Sequence, residues 1–268
     1  MINLWHKAVS MKQSVIWECD NYGGKAAPAV LRILTAAGGL LMFLLWGFCG
    51  ADLQAADTYR RQRERMVSEQ IEARGLRDGK VLAAMRKVER HLFVPERYRD
   101  QAYGDHPLPI GSGQTISQPY IVALMTAAAR PHTDMKVLEV GTGSGYQAAV
   151  LAELCKAVFS IEIVEPLGRQ AQKNLAGLYK NIQIRIGDGY LGWPEEAPFD
   201  AILVTCSPTH VPRPLADQLI EGGRMVIPVG REGDQNLVVL TKNGGKLRQE
   251  SVIPVRFVPM VNGKGKTY

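Results

Sequence analysis

The sequence contains few residues that bind metals or form disulfides. Its 268 residues include four cysteines and five histidines. No two cysteines stand at the spacing of metal ligands, and the histidines do not cluster with them. A zinc site and a disulfide framework are therefore disfavoured, and we expect no bound metal. Cys155 lies in an apolar run and is predicted to be a small buried side chain, whereas Cys206 would need an activating base to act as a nucleophile.

The sequence also lacks internal repeats, low-complexity tracts and a strong excess of charge. Lys and Arg total 32 and Asp and Glu total 26, which gives a formal net charge of +6. Such an excess usually serves solubility and is weak evidence for an anionic partner. Single-stranded nucleic acids bind to aromatic side chains interleaved with basic ones, and no such platform is visible, so we expect no nucleic-acid partner. Hydrophobic residues make up 46% of the chain, enough for the core of one α/β domain with a terminal extension.

A long uncharged run occupies residues 33–51 of an N-terminal extension that we assign to residues 1–56. The run is near the lower length limit for a membrane span, and basic residues on both sides give no clear orientation. Three interpretations stay open: a cleaved export signal, a membrane anchor, or a start codon assigned too early, with Met66 or a nearby position as the true start. We expect membrane contact only through 33–51.

Residues 57–268 have the pattern of a single domain that begins with a helical and loop-rich part, 58–134. Apolar residues at helical spacing predict two helices over 58–90. The many glycines and prolines of 104–119 predict a loop, which is followed by a helix from Tyr120 to Arg130.

The remaining part, residues 135–261, alternates short apolar runs with helical segments. This alternation predicts a parallel, doubly wound α/β sheet. The last two strands have little helix between them, which predicts an antiparallel hairpin at one edge. The predicted strands are Lys136–Val140, Val158–Val164, Ile182–Ile186, Phe199–Thr205, Met225–Val229, Asn236–Thr241 and Ser251–Val258, and the predicted helices are Tyr146–Lys156, Leu167–Tyr179 and Pro214–Ile220.

A glycine-rich turn, Gly141 to Gly145, joins the first predicted strand of this part to its helix. Ligands of doubly wound sheets bind at the carboxyl ends of the strands, and glycine lets the backbone approach a ligand closely. The pattern is G-x-G-x-G, and Tyr146 stands where a dinucleotide-binding fingerprint has Gly or Ala. The turn therefore favours a nucleotide-like ligand other than NAD, although a tight strand-to-helix connection would look similar.

Acidic residues accompany the glycine turn. Glu162 lies in the second strand, where a carboxylate can accept hydrogen bonds from both ribose hydroxyls. Asp188 and Gly189 follow the third strand, where an acid and a flexible backbone could contact an adenine edge. Glu139 lies within an apolar strand and would be costly to bury without partners. A solvated strand end would also explain Glu162, but together these residues predict a site for a cofactor that contains a nucleoside.

Several segments resemble the protein-L-isoaspartate O-methyltransferases. VLEVGTGSGYQAAVLAEL, from Val137 to Leu154, strongly resembles motif I of that family, and GQTISQP, from Gly113 to Pro119, is the most specific match. The resemblance covers about residues 58–261. The segment Thr205-Cys206-Ser207-Pro208 and the hydrophobic run at 33–51 depart from the family pattern. Further matches are RHLFVP from Arg90, GDG from Gly187, APFDAI from Ala197, GGRMVIPVG from Gly222 and VRFVP from Val255.

The resemblance implies a Rossmann-like methyltransferase fold with N-terminal helices and S-adenosylmethionine as methyl donor. It implies methylation of the free α-carboxylate of L-isoaspartyl residues in peptides and proteins, and a cytoplasmic, monomeric catalytic domain. It places the methionine part of the donor against the glycine turn, the ribose at Glu162 and the adenine at Asp188 and Gly189, with Ser117 in the active site. The implied donor residues are Glu139, Gly141, Thr142, Gly143, Gly145, Glu162, Asp188 and Gly189, and the implied peptide residues are Gln114, Thr115, Ile116 and Val229.

The chemistry of this reaction agrees with the absence of a catalytic histidine or acid pair. A peptide carboxylate has a pKa near ~3.5 and is already ionised at neutral pH, so no general base is needed. Ser117 can hold such a carboxylate through one hydrogen bond, although a serine before Pro119 is also a typical helix N-cap. The alternatives are a methyltransferase acting on RNA or a small acid, a non-enzymatic donor-binding protein and, least favoured, a nicotinamide oxidoreductase.

Overall fold

The computed structural model describes residues 57–268. The uncharged run 33–51 lies outside the described residues, and so does the choice between a signal and an anchor. Residues Thr58–Tyr268 form one compact unit. Within 57–268, no helix combines the length and the apolar character that a bilayer crossing requires.

Two helical segments open the described chain, in agreement with the expected pair over 58–90. The first spans 57–74, with a π-helical stretch at Met66–Ile71 and a 3₁₀ turn at Glu72–Arg74. Gly75 ends it in the left-handed conformation with φ 91°. Helix α1, Gly79–Lys87, begins at Asp78, whose side chain accepts hydrogen bonds from two N–H groups of the first turn. Both segments bury apolar residues against the sheet domain, among them Met66, Val81 and Met85.

The segment 104–119, expected to be a loop, contains a short antiparallel hairpin instead. Strand β1, Leu108–Gly111, pairs with strand β2, Gln114–Ile116, around Ser112 and Gly113. Residues 111–113 all have positive φ values, 102°, 51° and 70°, which closes the turn within two residues. The glycines and prolines of this segment are as typical of a tight hairpin turn as of a loop, so the sequence did not distinguish the two. Helix α2, Pro119–Ala129, follows as predicted.

A seven-stranded sheet forms the centre of the domain, with the order β5-β4-β3-β6-β7-β8-β9. The first five strands in that order run parallel, and β7, β8 and β9 form an antiparallel edge, which confirms the predicted architecture. Helices α3, Tyr146–Ala152, α4, Glu165–Leu175, and α5, Arg213–Asp217, connect parallel strands. The strands are β3 Lys136–Val140, β4 Ala157–Glu162, β5 Ile182–Ile186, β6 Phe199–Val204, β7 Leu219–Arg231, β8 Asp234–Asn243 and β9 Lys246–Val255.

The antiparallel edge differs most from its predicted boundaries. Strand β7 has 13 residues rather than the five of the predicted Met225–Val229. Strand β9 begins at Lys246, whereas the predicted strand ran from Ser251 to Val258. Gly244 and Gly245, with φ values of 58° and 73°, form a two-residue turn, so pairing resumes at once between Asn243 and Lys246. Most residues of the first half of β9 are polar and exposed, and they gave no apolar signal.

The topology places a crevice at one edge of the sheet. Strand β3 has β4 on one side and β6 on the other, so the chain order reverses around it. The loops that leave the carboxyl ends of these strands must diverge there, and such a switch point is where doubly wound folds bind ligands. Both faces of these strands are buried, with Leu138, Ile202 and Leu203 fully inaccessible to solvent. A rigid apolar core therefore fixes the floor of the crevice.

Candidate active site

A cavity occupies the crevice at the carboxyl ends of β3, β4 and β6. About 850 Å³ of space free of protein atoms lies between its walls, part of it open to solvent. Its walls contain nine of the predicted site residues: Gln114, Thr115, Ile116, Ser117, Gly141, Thr142, Gly143, Glu162 and Gly189.

The glycine turn forms one wall of this cavity, here called the donor cavity. The N–H groups of Gly141 and Thr142 both donate to the carbonyl of Ile161, which ties the turn to the end of β4. Gly141 has φ 100°, and a Cβ there would overlap the Thr205 hydroxyl. Gly145, also left-handed, packs against α4 instead: a Cβ would lie 2.9 Å from Leu175 Cδ1. Gly145 therefore shapes the turn and does not line the cavity.

Glu162 projects from the end of β4 into the donor cavity, 5% exposed. Its two oxygens accept hydrogen bonds from the N–H groups of Gly143, at 2.7 Å, and Val164, at 2.9 Å. Burial raises the pKa of Glu162, and the hydrogen bonds from the backbone oppose that rise. The bonds fix the carboxylate in position, and each oxygen keeps a further lone pair for a ligand hydroxyl.

Glu139 lies beneath the glycine turn rather than in the cavity wall. Its side chain is fully buried and accepts a hydrogen bond from the Ser160 hydroxyl. The Ser160 oxygen in turn lies 2.5 Å from the Thr142 hydroxyl, so a chain of three polar groups runs from the core to the cavity. Burial raises the pKa of Glu139 to about 8, and the Ser160 hydrogen bond opposes that rise. Serine supplies the partner that the sequence alone left unidentified.

Asp188 and Gly189 differ in their position relative to the donor cavity. Gly189 lines the donor cavity, and a Cβ there would overlap Val140 at the end of β3. Asp188 does not line the cavity and caps a short 3₁₀ turn by accepting the N–H of Tyr190 at 3.0 Å. Its other carboxylate oxygen accepts the hydroxyl of Tyr268. The acid is thus adjacent to the cavity and already oriented by two donors.

Ser117 stands where the donor cavity opens into a second depression, here called the acceptor groove. The two spaces share five residues: Thr115, Ser117, Thr205, Val258 and Pro259. Gln118, not Ser117, occupies the N-cap position of α2, and no side chain caps that helix. The N-cap interpretation of Ser117 is therefore wrong. The other residues of the groove are Pro107, Gln118, Ile121, Glu232, Gly233, Pro254, Val255, Arg256 and Phe257.

Other residues of the site were not expected from the sequence, and Val229 was expected but lies elsewhere. Val229 is on β7 opposite Asn236 and lines neither the donor cavity nor the acceptor groove. Thr205 lines both, and its hydroxyl donates to the carbonyl of Gly141 at 2.6 Å. Thr205 directly follows β6, so the strand-end rule that identified Glu162 could have found it. No sequence signal marked the cavity residues Met260 and Val261.

The cysteines of the sheet domain do not supply a nucleophile. Burial raises the pKa of Cys206 to about 12, so its side chain at the cavity wall remains a thiol at neutral pH. Cys155 is buried, as predicted, and burial likewise raises its pKa to about 12. His210 bonds to Tyr190 and Thr209 and stands outside the donor cavity walls. The arrangement can align two bound molecules, and neither of these two cysteines is activated for covalent catalysis.

Comparison with known proteins identifies relatives of this site and fold. The sequence model of the family described as protein-L-isoaspartate(D-aspartate) O-methyltransferase matches residues 61–265. A protein-L-isoaspartate O-methyltransferase of Synechococcus is 57% identical over 215 residues, 77% of this chain and 88% of the relative. That of Opitutus terrae is 57% identical over 227 residues, 84% of this chain and 97% of the relative.

Solved structures agree with the sequence relatives. A protein-L-isoaspartate O-methyltransferase structure superimposes with a TM-score of 0.70 at 29% identity, covering 76% of this chain and 67% of the other. A Plasmodium falciparum structure described as a methyltransferase of the same type, in complex with S-adenosyl-L-homocysteine, gives 0.66 at 27% identity, covering 74% and 98%. With the family match over most of its length, this chain belongs to the protein-L-isoaspartate(D-aspartate) O-methyltransferase family.

Proposed function

We propose that this chain transfers a methyl group from S-adenosylmethionine to the free α-carboxylate of L-isoaspartyl residues in peptides and proteins. The observation that carries the proposal is the meeting of two spaces at Ser117: a cavity beside the glycine turn and the adjoining acceptor groove. Transfer between a small donor and a large acceptor needs such a pair of adjoining sites. The enzyme class follows from the family to which the chain belongs.

The donor cavity fits a nucleoside that carries an amino-acid tail. Glu162 offers carboxylate lone pairs to ribose hydroxyls, and the apolar side chains of Ile161 and Val164 line the same wall. Thr142 and Gly143 would lie along the methionine part, and Asp188 with Gly189 at the adenine. We assign to Glu139 and Gly145 an indirect role, in which they hold the glycine turn in place from below and from the α4 side.

The acceptor groove suits an extended peptide that presents one carboxylate to Ser117. Gln114, Thr115 and Ile116 precede Ser117 along β2 and line the donor cavity. The turn between β7 and β8 and the segment 254–259 form the opposite side of the groove. Val229, on β7 near that turn, would act through the position of the turn rather than by contact.

The chemistry proposed for these residues is alignment. S-adenosylmethionine supplies a methyl carbon on a positively charged sulfur, which is an electrophile without further activation. Ser117 donates one hydrogen bond to the ionised acceptor carboxylate and holds it without neutralising its charge. The walls of the donor cavity exclude bulk water and fix the line of approach, which accounts for rate enhancement without a general base. The neighbouring peptide nitrogen then attacks the methyl ester and displaces methanol, which closes a succinimide. Hydrolysis of the succinimide yields normal aspartate at part of the sites.

We further propose that the catalytic domain acts as a monomer in the cytoplasm. The methyl donor is made inside cells, which supports the cytoplasmic assignment. Any membrane contact would involve 33–51. Cell fractionation with N-terminal sequencing, and the mass of the purified protein in solution, test this proposal.

The decisive assay uses labelled S-adenosylmethionine and two synthetic peptides that differ in a single isoaspartyl or aspartyl linkage. We expect base-labile label on the isoaspartyl peptide alone. Equal labelling of both peptides would contradict the assigned specificity. Labelling of neither peptide by a protein that still binds the donor would contradict the assigned acceptor and make RNA the next substrate to test.

A further inference from the structure

The segment from Met260 to Tyr268 folds back beside the donor cavity. Met260 lines that cavity, and its carbonyl accepts the N–H of Tyr268 at 3.1 Å. Between them, the N–H of Asn262 donates to the carbonyl of Lys266 at 2.8 Å. The carbonyl of Tyr268 accepts the N–H of Thr209 at 3.1 Å, which ties the segment to the loop after β6. These bonds fix the backbone at Tyr268.

The side chain of Tyr268 contacts the residues that follow β5. Its ring stacks on the ring of Tyr190, with centroids 3.9 Å apart and planes 14° from parallel. Its hydroxyl donates to Asp188 Oδ2, while Asp188 Oδ1 accepts the N–H of Tyr190. The neighbouring residue, Gly189, lines the donor cavity. The phenol therefore reaches the acid that the proposed function assigns to the adenine, although nothing in the sequence pattern connected the two residues.

We propose that Tyr268 is a positioning residue that orients the Asp188 carboxylate toward the amino edge of the donor's adenine and so sets the base specificity of the donor site. This inference rests on the proposed assignment of Asp188. A carboxylate held by one backbone N–H can still rotate about its side-chain bonds. A second donor on the opposite oxygen removes that freedom and leaves one lone pair per oxygen for the ligand.

The chemistry of the base makes this orientation measurable. Adenine presents an amino group at its 6 position, which donates a hydrogen bond to a carboxylate. Hypoxanthine presents a carbonyl oxygen at the same position, which a carboxylate repels. A site that hydrogen-bonds one group and leaves the other unpaired discriminates strongly between them. Burial and the neighbouring Asp188 raise the pKa of Tyr268 to about 12, so the phenol keeps its proton and remains a donor at neutral pH.

The test compares S-adenosylhomocysteine with S-inosylhomocysteine by calorimetric titration of the full chain. In Tyr268→Phe, which keeps the stacked ring and removes the hydroxyl, we expect the dissociation constant of S-adenosylhomocysteine to rise about tenfold. We expect the dissociation constant of S-inosylhomocysteine to change by less than about twofold, since its carbonyl cannot donate a hydrogen bond to the oriented carboxylate. The preference for adenine then falls by about the same factor. Tyr98→Phe, the same change outside both spaces, should bind like the parent.

Asp188→Ala separates the possible failures. If this variant loses the adenine preference but Tyr268→Phe retains it, the role of Tyr268 is overturned and the assignment of Asp188 stands. If Asp188→Ala also binds both ligands as the parent does, both are overturned. Tighter binding of S-adenosylhomocysteine by Tyr268→Phe would overturn the inference too, because the hydroxyl would then be competing with adenine for the carboxylate. These binding readouts do not depend on which acceptor is methylated, so they remain informative if the peptide assay fails.

Discussion

The donor cavity and the acceptor groove adjoin each other but are built in different ways. Polar groups of the donor cavity sit at the ends of three neighbouring parallel strands, and backbone N–H groups hold them, as Gly143 and Val164 hold Glu162. The acceptor groove is formed by the β1–β2 hairpin, the β7–β8 turn and the segment 254–259. Strand ends are rigid and loops vary more readily. On the proposed assignment, donor binding therefore depends mainly on the core of the fold, whereas peptide recognition depends on loops attached to it.

The largest effect should come from Ser117, where the two regions meet. Ser117→Ala is expected to lower kcat by about a hundredfold, because the acceptor carboxylate loses the bond that aligns it. Its dissociation constant for S-adenosylmethionine should stay within about twofold of the parent value, since the hydroxyl does not hold the donor. Steady-state kinetics and calorimetry measure the two quantities. Ser251→Ala, on the exposed strand β9, is the matched control. If kcat equals that of the parent and donor binding is altered, Ser117 binds the donor rather than the acceptor carboxylate.

Substitution of Glu162 should affect donor affinity more than kcat, the reverse of the expectation for Ser117. Glu162→Gln is expected to raise the dissociation constant for S-adenosylhomocysteine by about thirtyfold, because charge-assisted bonds to the ligand hydroxyls are lost. At saturating donor, kcat should fall by less than about threefold. Glu165→Gln three residues later, exposed and paired with Arg169, controls for the loss of one negative charge. Unchanged donor affinity would show that Glu162 does not bind the donor.

Glu139 tests how far the donor region depends on the core. Its pKa of about 8 lies above the value of 4.5 for an unperturbed glutamate, so folding takes up a proton between these two limits. The stabilisation is complete below about pH 4.5 and is lost as the pH rises through about 8. From pH 6 to pH 7 this group should lower the free energy of unfolding by roughly 1 kcal/mol. Glu139→Gln should remove that slope in urea titrations. The same slope in both proteins would contradict the assignment.

The smallest effect is expected at Gln235, which supports the acceptor groove through Phe257 without lining it. The buried side-chain amide of Gln235 forms two hydrogen bonds with the backbone of Phe257. Its oxygen accepts the Phe257 N–H at 2.6 Å, and its nitrogen donates to the Phe257 carbonyl at 3.1 Å. Gln235→Leu should raise KM for the isoaspartyl peptide by about fivefold and change donor affinity less, because Phe257, the residue that it releases, lines the groove and not the donor cavity. Asn236→Leu, the next residue of β8, is the control. A loss of donor affinity would show that the two regions are coupled through this strand.

The contrast between the core and the loops also explains how much of the fold could be predicted from the sequence. Strands β3, β5 and β6 and helix α2 were predicted within one or two residues because each is a short apolar or periodic run between turn residues. The hairpin β1–β2 and the first half of β9 were missed because their pairing is set by positive-φ turns and tertiary contacts. Neither feature produces a hydrophobic pattern.

Prediction of the site followed a similar division. Glycines and acids at strand ends, such as Gly143 and Glu162, were placed on the cavity wall as expected. Gly145 and Glu139 resembled ligand-binding residues in the sequence, but they support the glycine turn from positions that only side-chain packing reveals. The contact of Tyr268 with Asp188 spans 80 positions of the chain. Such a contact depends on how the last segment folds back, and a single sequence carries no record of it.

A crystal structure of the chain with S-adenosylhomocysteine and an isoaspartyl peptide would test the meeting of the two regions most directly. We expect the adenosine beside Glu162, the peptide in the acceptor groove, and its free carboxylate about 3 Å from Ser117 Oγ, on the line from the donor sulfur. A peptide bound outside the groove, or a carboxylate held by another group and turned away from the sulfur, would show that the proposed alignment at Ser117 is wrong.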